Sequence, residues 1–340
     1  MGSKEIKNRL KKVKYPNLEK SIIDLDIVKD IKVKGKQVHI SLSMQNQDFY
    51  KEVEQKIAHT LDEYDVDVRF LAQKKSSINY GSTQKPNNRA AYAKKVIAVS
   101  SGKGGVGKST VSVNVAVGLA QKGYKVGLLD ADVYGPSIPR MLQVHEENLQ
   151  WSDANKIIPS ENFGIKIMSV GLTTPQSDTP LVWRSSVAVS ALIQFLEDVA
   201  WGELDYLIID MPPGTGDIQL TMAQELNLHS AILVTTPQTV SLDDVSRSIM
   251  MFKDIGVPIA GVVENMSYFI APDTKAHYEI FGSGGGQKLA QTYGVKLLAQ
   301  VPFTIESREL ADDGKVAIAM GDQSVKDAYK KIVKSLCEDL

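Results

Sequence analysis

The segment GKGGVGKS, residues 102–109, restricts the fold more than any other part of the sequence. It matches the pattern G-x-x-x-x-G-K-[ST], follows the apolar run VIAVSS and precedes residues 108–122, whose apolar side chains recur at helical spacing. In a strand, loop and helix of this kind, glycines let backbone N–H groups turn inward around a phosphate, and the helix N-terminus adds positive potential. The sequence therefore predicts a nucleotide phosphate-binding loop.

The loop assigns specific roles to its side chains. Lys108 is expected to neutralise the β- and γ-phosphate oxygens of ATP, and the Ser109 hydroxyl is expected to ligate Mg²⁺. The predicted ATP contacts within the loop are Gly102, Lys103, Gly104, Gly105, Val106, Gly107, Lys108, Ser109 and Thr110.

Short apolar runs recur from Lys95 onward. They are VIAVSS, KVGLLDAD, IKIMSVG, DYLIID, AILVTT, IAGVVEN and LLAQVP, and the segments between them are long enough for helices. Continuous apolar strands that alternate with helices indicate a parallel sheet covered on both faces, with ligands bound beyond the carboxyl ends of the strands. The predicted fold class is α/β: a P-loop NTPase domain over residues 95–340, with a mostly parallel sheet flanked by helices.

Two regions precede this domain. Residues 1–72 predict a small α+β accessory unit with an opening helix, a strand pair that turns at Gly35, a second helix over 47–64 and a closing strand. Residues 73–94 are rich in Ser, Asn, Gly and Pro and carry basic but no acidic side chains. We predict a flexible basic linker there, and favour a solvated tether over an arm that binds phosphate or nucleic acid.

Composition excludes several classes of partner. The formal net charge of −1 gives no overall attraction to nucleic acid or to an anionic membrane. No run approaches the ~18 apolar residues of a membrane helix, and the N-terminus lacks the apolar core of a secretory signal. The sequence thus predicts a cytoplasmic protein without membrane or nucleic-acid partners. A single cysteine, Cys337, excludes an internal disulfide framework and any site built from several cysteines of one chain.

Three aspartates end predicted strands near the loop. Asp130 and Asp132 close the run LLDAD, and Asp210 closes LDYLIID. The carboxyl ends of parallel strands meet at one edge of a sheet, so we expect these carboxylates beside the phosphates. Asp210 resembles a Walker B carboxylate that holds Mg²⁺ through water, and Asp130 is a second candidate for the metal. Solvated strand-end aspartates are the alternative interpretation.

Lys103 is a second lysine within the loop. Its side chain is expected to point away from the phosphates that its own backbone encloses, and so to serve another subunit. The pattern K-G-G-x-G-K-[ST] resembles the deviant Walker A class of ATPases, which includes the nitrogenase iron protein, MinD and ParA. That resemblance implies a face-to-face homodimer in which Lys103 reaches the partner's nucleotide. It also implies that Asp132 positions or activates the attacking water, and that Asn265 and the backbone after Pro302 contact adenine.

The order of motifs resembles the Mrp/ApbC branch, the iron–sulfur cluster carrier ATPases. The matching stretches are SSGKGGVGKST, DADVYGPSIPRML, LDYLIIDMPPGTGD, TTPQTVSLDDV, ENMSYF and IFGSGGGQKLA. Residues 1–72 resemble the domain often fused ahead of that ATPase. The resemblance implies an ATPase with ATP or ADP and Mg²⁺ as cofactors, which acts in iron–sulfur cluster assembly on apoproteins or assembly factors.

One expected motif of that branch is missing. A Cys-x-x-Cys that supplies a bridging [4Fe-4S] cluster usually follows ENMSYFI, and here Ala271 and Thr274 stand at those positions. The nearby Asp273 and His277 are expected to be surface polar residues rather than substitute ligands. A two-thiolate bridge through Cys337 of each subunit is the remaining alternative. The sequence therefore predicts no iron–sulfur ligands in this segment.

The segment FGSGGG is a second glycine-rich opening of a predicted helix. It could hold an anion at the helix N-terminus, but a close-packed turn next to the dimer face is favoured.

The favoured function is a Mg²⁺-dependent dimeric ATPase in iron–sulfur cluster assembly or transfer. The alternatives are an ATP-switched positioning protein on membrane or DNA, as MinD and ParA are, and a metabolic kinase or ligase, for which no substrate motif is present.

Overall fold

The chain divides into two compact units, residues 1–84 and 85–340. The computed structural model describes residues 3–14, 21–23, 27–42, 49–70, 88–145, 149–173 and 185–339. Residues 73–87 of the predicted linker lie outside the described residues. The first strand of the second unit begins at Ala93, two residues before the predicted start of the domain, because Ala93 is buried and pairs in parallel with Leu204.

The N-terminal unit is a three-stranded sheet with two helices. Its elements are α1 (Ser3–Leu10), β1 (Val28–Lys34), β2 (Gln37–Leu42), α2 (Tyr50–Thr60) and β3 (Asp65–Phe70). Strands β1 and β2 are antiparallel around Gly35, and β2 pairs with β3 in parallel. Val38, Ile40 and Leu42 alternate into a core shared with both helices, as the period of a half-buried strand predicts.

The second unit alternates strands and helices. Its strands are β4 (Ala93–Ser101), β5 (Val126–Asp130), β6 (Gln150–Trp151), β7 (Ile157–Ile158), β8 (Ser160–Asn162), β9 (Ile165–Ser169), β10 (Leu204–Asp210), β11 (Ser230–Thr235), β12 (Ile259–Glu264), β13 (Phe269–Ile270), β14 (His277–Tyr278) and β15 (Leu297–Gln300). Its helices are α3 (Lys108–Gln121), α4 (Ile138–Met141), α5 (Ser185–Asp198), α6 (Asp217–Glu225), α7 (Thr239–Asp254), α8 (Gly285–Tyr293), α9 (Ile305–Asp312), α10 (Ala317–Met320) and α11 (Gln323–Asp339).

Eight of these strands form one sheet in the order β15-β12-β11-β4-β10-β5-β9-β8. All neighbouring pairs are parallel except β8 and β9, which confirms the predicted mostly parallel sheet. The loop of residues 102–107 leaves the carboxyl end of the central strand β4, and Asp210 ends the adjacent strand β10. The sheet order therefore brings the phosphate loop and the strand-end carboxylates to one edge.

Both faces of the sheet are covered. In β4, Val96 and Ala98 pack into a core that includes residues of α5, α6 and α7, whereas Ile97 and Val99 pack into a core with α3, α10 and α11. Burial on both faces explains why the strands are continuous apolar runs rather than alternating ones. Helix α11 buries an apolar stripe that includes Val325, Ile332 and Leu336 in the second of these cores. None of the described helices combines the length and apolar composition needed to span a bilayer.

The glycine-rich start of α8 donates a hydrogen bond to a buried carboxylate of the protein, that of Glu264. Glu264, at the end of β12, is fully buried, and one of its carboxylate oxygens accepts a 2.5 Å hydrogen bond from the Gly286 amide. The other oxygen accepts from the Ser267 hydroxyl at 2.6 Å and from the Gln300 amide at 2.8 Å. A helix N-terminus stabilises negative charge, so Glu264 fixes α8 to the carboxyl edge of the sheet. The segment FGSGGG therefore forms a close-packed turn before α8.

The packing of α8 against Glu264 leaves no space for a side chain at Gly286. A Cβ atom there would lie 2.8 Å from Glu264 Oε2 and 2.9 Å from Glu264 Cβ, and the carboxylate is held by three hydrogen bonds. We expect Gly286→Ala to lower the free energy of unfolding by about 1–3 kcal/mol. Urea unfolding followed by tryptophan fluorescence measures this, because every tryptophan of the chain lies in the second unit. Gly135→Ala, with no atom within 4 Å of the added carbon, is the control and should change the value little. Equal stability of both variants would contradict the prediction.

Candidate nucleotide site

The phosphate loop adopts a conformation that its glycines permit. Gly105 and Gly107 have φ angles of 80° and 82°, in the left-handed region that side chains disfavour. Gly102 packs directly on the backbone of α7, since an added Cβ would lie 2.2 Å from the carbonyl carbon of Asp244. The buried Val106 side chain anchors the middle of the loop in the core beneath it. Local sequence and close packing together fix the loop.

Lys108 lies at the centre of a buried charge network. Its Nζ atom is 2.7 Å from Asp210 Oδ2 and 3.3 Å from Asp132 Oδ2. The Ser109 hydroxyl donates to Asp210 Oδ2 at 2.6 Å, and the Ser112 hydroxyl donates to Asp210 Oδ1 at 2.6 Å. Burial acts to lower the pKa of Lys108, but the charges of Asp210 and Asp132 raise it, and the resulting pKa lies above the ordinary lysine value. Lys108 is therefore a cation at the start of α3.

Asp130 lies beneath this network and does not line the pocket beside the loop. It is fully buried, and it accepts hydrogen bonds from the Ser169 hydroxyl at 2.9 Å and from the backbone amides of Asp132 at 3.2 Å and Ile138 at 3.3 Å. Burial and the nearby Asp210 charge raise the pKa of Asp130 to about 7. These contacts hold the segment that carries Asp132. A role for Asp130 in binding metal stays a prediction.

A pocket of about 340 Å³ opens beside the loop. Its walls include Lys103, Lys108, Ser109 and Asp132, with Pro213 opposite. The Pro213 segment is tied to the loop, because the amide of the next residue, Gly214, donates to the Ser101 carbonyl at 2.8 Å. The pocket therefore combines backbone amides, two lysines and a carboxylate, which suits a polyphosphate with a metal ion.

A second cavity, of about 200 Å³, shares Thr110 and Met141 with the first. Asn265 and Pro302, the two residues predicted to contact adenine, both line it together with Phe303. The Asn265 amide group donates to the Val106 carbonyl at 2.9 Å, which ties this cavity to the loop. An apolar slot next to a phosphate pocket has the form of a nucleotide base site.

Lys103 differs from Lys108 in its surroundings. Its backbone carbonyl accepts a 2.9 Å hydrogen bond from the Ser101 hydroxyl, which orients the loop at that residue. Its side chain is partly exposed, and no residue in the described part of the chain forms an ion pair or hydrogen bond with its ammonium group. A cation at the rim of the pocket is thus free to contact a group outside the chain.

Ala271 and Thr274 lie in the turn between β13 and β14. Ala271 is buried, and its amide and carbonyl bond the Ala276 carbonyl and the Lys275 amide, each at 3.0 Å, whereas Thr274 is exposed. Asp273 is an exposed turn residue, and the exposed His277 stacks on Tyr268. No group of three or more His, Cys, Asp or Glu side chains in the described ranges could hold a metal ion. The turn offers no thiolate and no substitute set of ligands.

Sequence reasoning missed two hydroxyl groups of the site. Ser112 lies one helical turn after Lys108, so its spacing of four residues could have indicated it. Ser169 ends β9, and its contact with Asp130 depends on a strand pairing that the sequence does not specify. The predicted Asp132, Asp210 and Ser109 lie together with Lys108, while Asn265 and Pro302 line the adjoining cavity.

Comparison with known proteins agrees with this geometry. Residues 92–337 match the family model described as NUBPL iron-transfer P-loop NTPase, and residues 3–67 match a model described as iron-sulfur cluster assembly protein. The iron-sulfur cluster carrier protein of Synechocystis is 41% identical over 338 residues, which cover 96% of this chain and 94% of that protein. The carrier protein of Aquifex aeolicus is 46% identical and covers 75% of this chain and 71% of its own length.

Solved structures show the same fold. A nucleotide-binding protein from Archaeoglobus fulgidus, in complex with ADP, is 38% identical with a TM-score of 0.60, and the match covers 67% of this chain and 89% of that one. The cell division ATPase MinD of Pyrococcus furiosus matches with a TM-score of 0.55 at 20% identity, covering 73% of this chain and 100% of that one, and this likeness concerns the fold alone. With a nucleotide loop, strand-end carboxylates and a family match over most of its length, the chain belongs to the NUBPL iron-transfer P-loop NTPases.

Proposed function

We propose that this NTPase hydrolyses ATP with Mg²⁺ as a cytoplasmic homodimer and acts in the assembly or transfer of iron–sulfur clusters. The observation that carries the enzymatic part is the buried contact of Lys108 with Asp210 and Asp132 beside the Ser109 hydroxyl. Phosphoryl transfer needs a cation on the phosphates, a metal ion held by hydroxyl and carboxylate oxygens, and a group that orients the attacking water. Lys108 is the proposed cation, Ser109 and Asp210 are the proposed metal ligands, and Asp132 is the proposed group that orients water.

The ion pairs of Lys108 indicate how the site would respond to ATP. A triphosphate in the pocket offers oxygens to the Lys108 ammonium in competition with Asp210 and Asp132. Ser109 directly, and Asp210 through water, would hold Mg²⁺, which would supply positive charge to the phosphate oxygens. Asp132, released from Lys108, would orient water toward the γ-phosphate. Asp130 would support this step by holding the backbone of Asp132.

The cavity beside Thr110 is the proposed adenine site. Its apolar walls would stack on the base, and Pro302 would present backbone groups to the base edge. Asn265 connects base and phosphate sites because it donates to the loop carbonyl of Val106.

Lys103 is proposed to complete the site of a second subunit. Its ammonium has no partner among the described residues and lies at the rim of the phosphate pocket. A cation delivered in trans stabilises the charge that develops on the transferred phosphoryl group, and such groups contribute roughly 10³- to 10⁵-fold to hydrolysis in related enzymes. Hydrolysis would therefore depend on dimer closure.

The role in iron–sulfur metabolism is supported by both units. The relatives from Synechocystis and Aquifex aeolicus are named iron-sulfur cluster carrier proteins, and the N-terminal unit matches an assembly-protein model. We propose that iron–sulfur apoproteins or assembly factors are the partners. Positioning on a membrane receives no support from α11, because its apolar stripe is buried in the core.

The trans role of Lys103 is testable with mixed dimers. Lys103→Ala and Asp132→Ala should each lower the rate of ATP hydrolysis by roughly 10³-fold or more while retaining ATP binding. Equal mixing should restore up to roughly a quarter of the wild-type rate, because about half of randomly formed dimers are mixed and each has one complete site. Phosphate release measures the rate, and Lys122→Ala, on an exposed surface, is the control. A mixture as inactive as its components would contradict the trans role.

Two serines of α3 test the proposed metal site. Ser109 lines the pocket and Ser112 does not, although both donate to Asp210. We expect Ser109→Ala to raise the Mg²⁺ concentration for half-maximal hydrolysis by roughly tenfold or more, because a direct ligand is lost. Ser112→Ala should lower the free energy of unfolding by about 1–3 kcal/mol with little change in the Mg²⁺ requirement. Titration of hydrolysis with Mg²⁺ distinguishes them, and identical Mg²⁺ curves would argue against Ser109 as a ligand.

A further inference from the structure

The donor atoms of this chain do not fit the bridging [4Fe-4S] cluster that the family resemblance implies. Such clusters are held by cysteine thiolates, whereas the β13–β14 turn offers the methyl group of Ala271 and the hydroxyl of Thr274. The single cysteine, Cys337, lies in α11 beside Gln121 and Tyr124, at the end of α3 that is remote from the phosphate loop. A cluster bridge through this turn is therefore excluded by the chemistry of the side chains present.

Apolar side chains are exposed next to this turn instead. Eleven large apolar side chains are exposed within the described ranges. Three of them, Tyr278, Ile280 and Phe281, are close in sequence and directly follow the turn that lacks cysteines. Exposed apolar surface of this kind marks a protein contact.

Packing connects this surface to the phosphate loop. The turn after Phe281 contacts the beginning of α7, because a Cβ atom on Gly285 would lie 2.6 Å from the Leu242 side chain and 2.8 Å from the Pro237 carbonyl. One turn further along α7, the backbone at Asp244 contacts Gly102 of the loop. Val240, with 64% of its surface exposed, lies on the first turn of α7, four residues before Asp244. We define Val240, Tyr278, Ile280 and Phe281 as the apolar patch, and the segments that carry these residues are linked through the contacts of α7 to Gly102, next to Lys103.

We propose that the apolar patch binds a second copy of the chain and closes the nucleotide-bound dimer without an iron–sulfur bridge. The inference rests on the proposed function, in which Lys103 crosses to a partner. A subunit that receives Lys103 must cover the surface beside Gly102, and the exposed Val240 lies on α7, the helix whose residue Asp244 contacts Gly102. In a two-fold dimer the same patch is contributed by both copies, so apolar contact can be self-complementary. Dimer closure then depends on nucleotide and not on iron.

Sedimentation velocity of the full-length chain with Mg²⁺ and a non-hydrolysable ATP analogue tests this. One sample is freed of iron with a chelator and checked by metal analysis, and a second is incubated anaerobically with iron and sulfide. We expect the same nucleotide-dependent dimer in both samples and no stoichiometric cluster in the absorption spectrum. The double variant Ile280→Asp, Phe281→Asp should weaken dimerisation by roughly tenfold or more, since charges would be buried in the contact.

Trp151→Asp is the matched control, because Trp151 is an apolar side chain with 61% exposure that lies on β6, outside the patch. It should dimerise as the wild type does, and binding of the analogue to monomers should be unchanged in both variants. A dimer that forms only after iron and sulfide are added would overturn the inference while leaving the ATPase proposal intact. Normal dimerisation of the double variant would show that the apolar patch does not form the dimer contact. Nucleotide binding with no dimer in any sample would overturn both this inference and the proposed homodimer.

Discussion

The buried contact between Lys108 and Asp210 is the interaction on which the site depends. Asp210 is inaccessible to solvent and Lys108 nearly so, and a buried charge is costly unless it is paired and hydrogen-bonded. Both oxygens of Asp210 have donors, from Lys108, Ser109 and Ser112. Removing Lys108 would leave an uncompensated charge inside the protein. The network therefore constrains stability, and it is also the proposed binding site for phosphate and metal.

This contact exists because of the order of strands in the sheet. Lys108 follows β4 and Asp210 ends β10, and the two strands are neighbours although about a hundred residues separate them in the chain. Asp132 follows β5, the next strand beyond β10. A parallel sheet places all of these ends at one edge, so the topology brings three distant motifs into contact.

Other contacts at the same edge hold α7 and α8 in place. Glu264 accepts a hydrogen bond from Gly286 at the N-terminus of α8, so a carboxylate of the protein itself lies at the second glycine-rich segment. α7 contacts Gly102 on one side and the turn at Gly285 on the other. Close packing on α7 therefore links the phosphate loop to the turn that follows the β13–β14 hairpin.

The sequence by itself determined the elements whose causes are local. The phosphate loop follows from glycines that adopt left-handed angles, and the parallel sheet follows from continuous apolar runs, so the P-loop architecture and the grouping of Lys108, Ser109, Asp132 and Asp210 were predictable. The sequence also shows directly that the β13–β14 turn contains no cysteine. Only the tertiary structure decided three contacts: the hydrogen bond from Ser169 to Asp130, the hydrogen bond from Gly286 to Glu264, and the packing of α7 on Gly102. These depend on distances between residues that are 22 to 142 positions apart in the chain, and no local pattern encodes which buried donor will meet which acceptor.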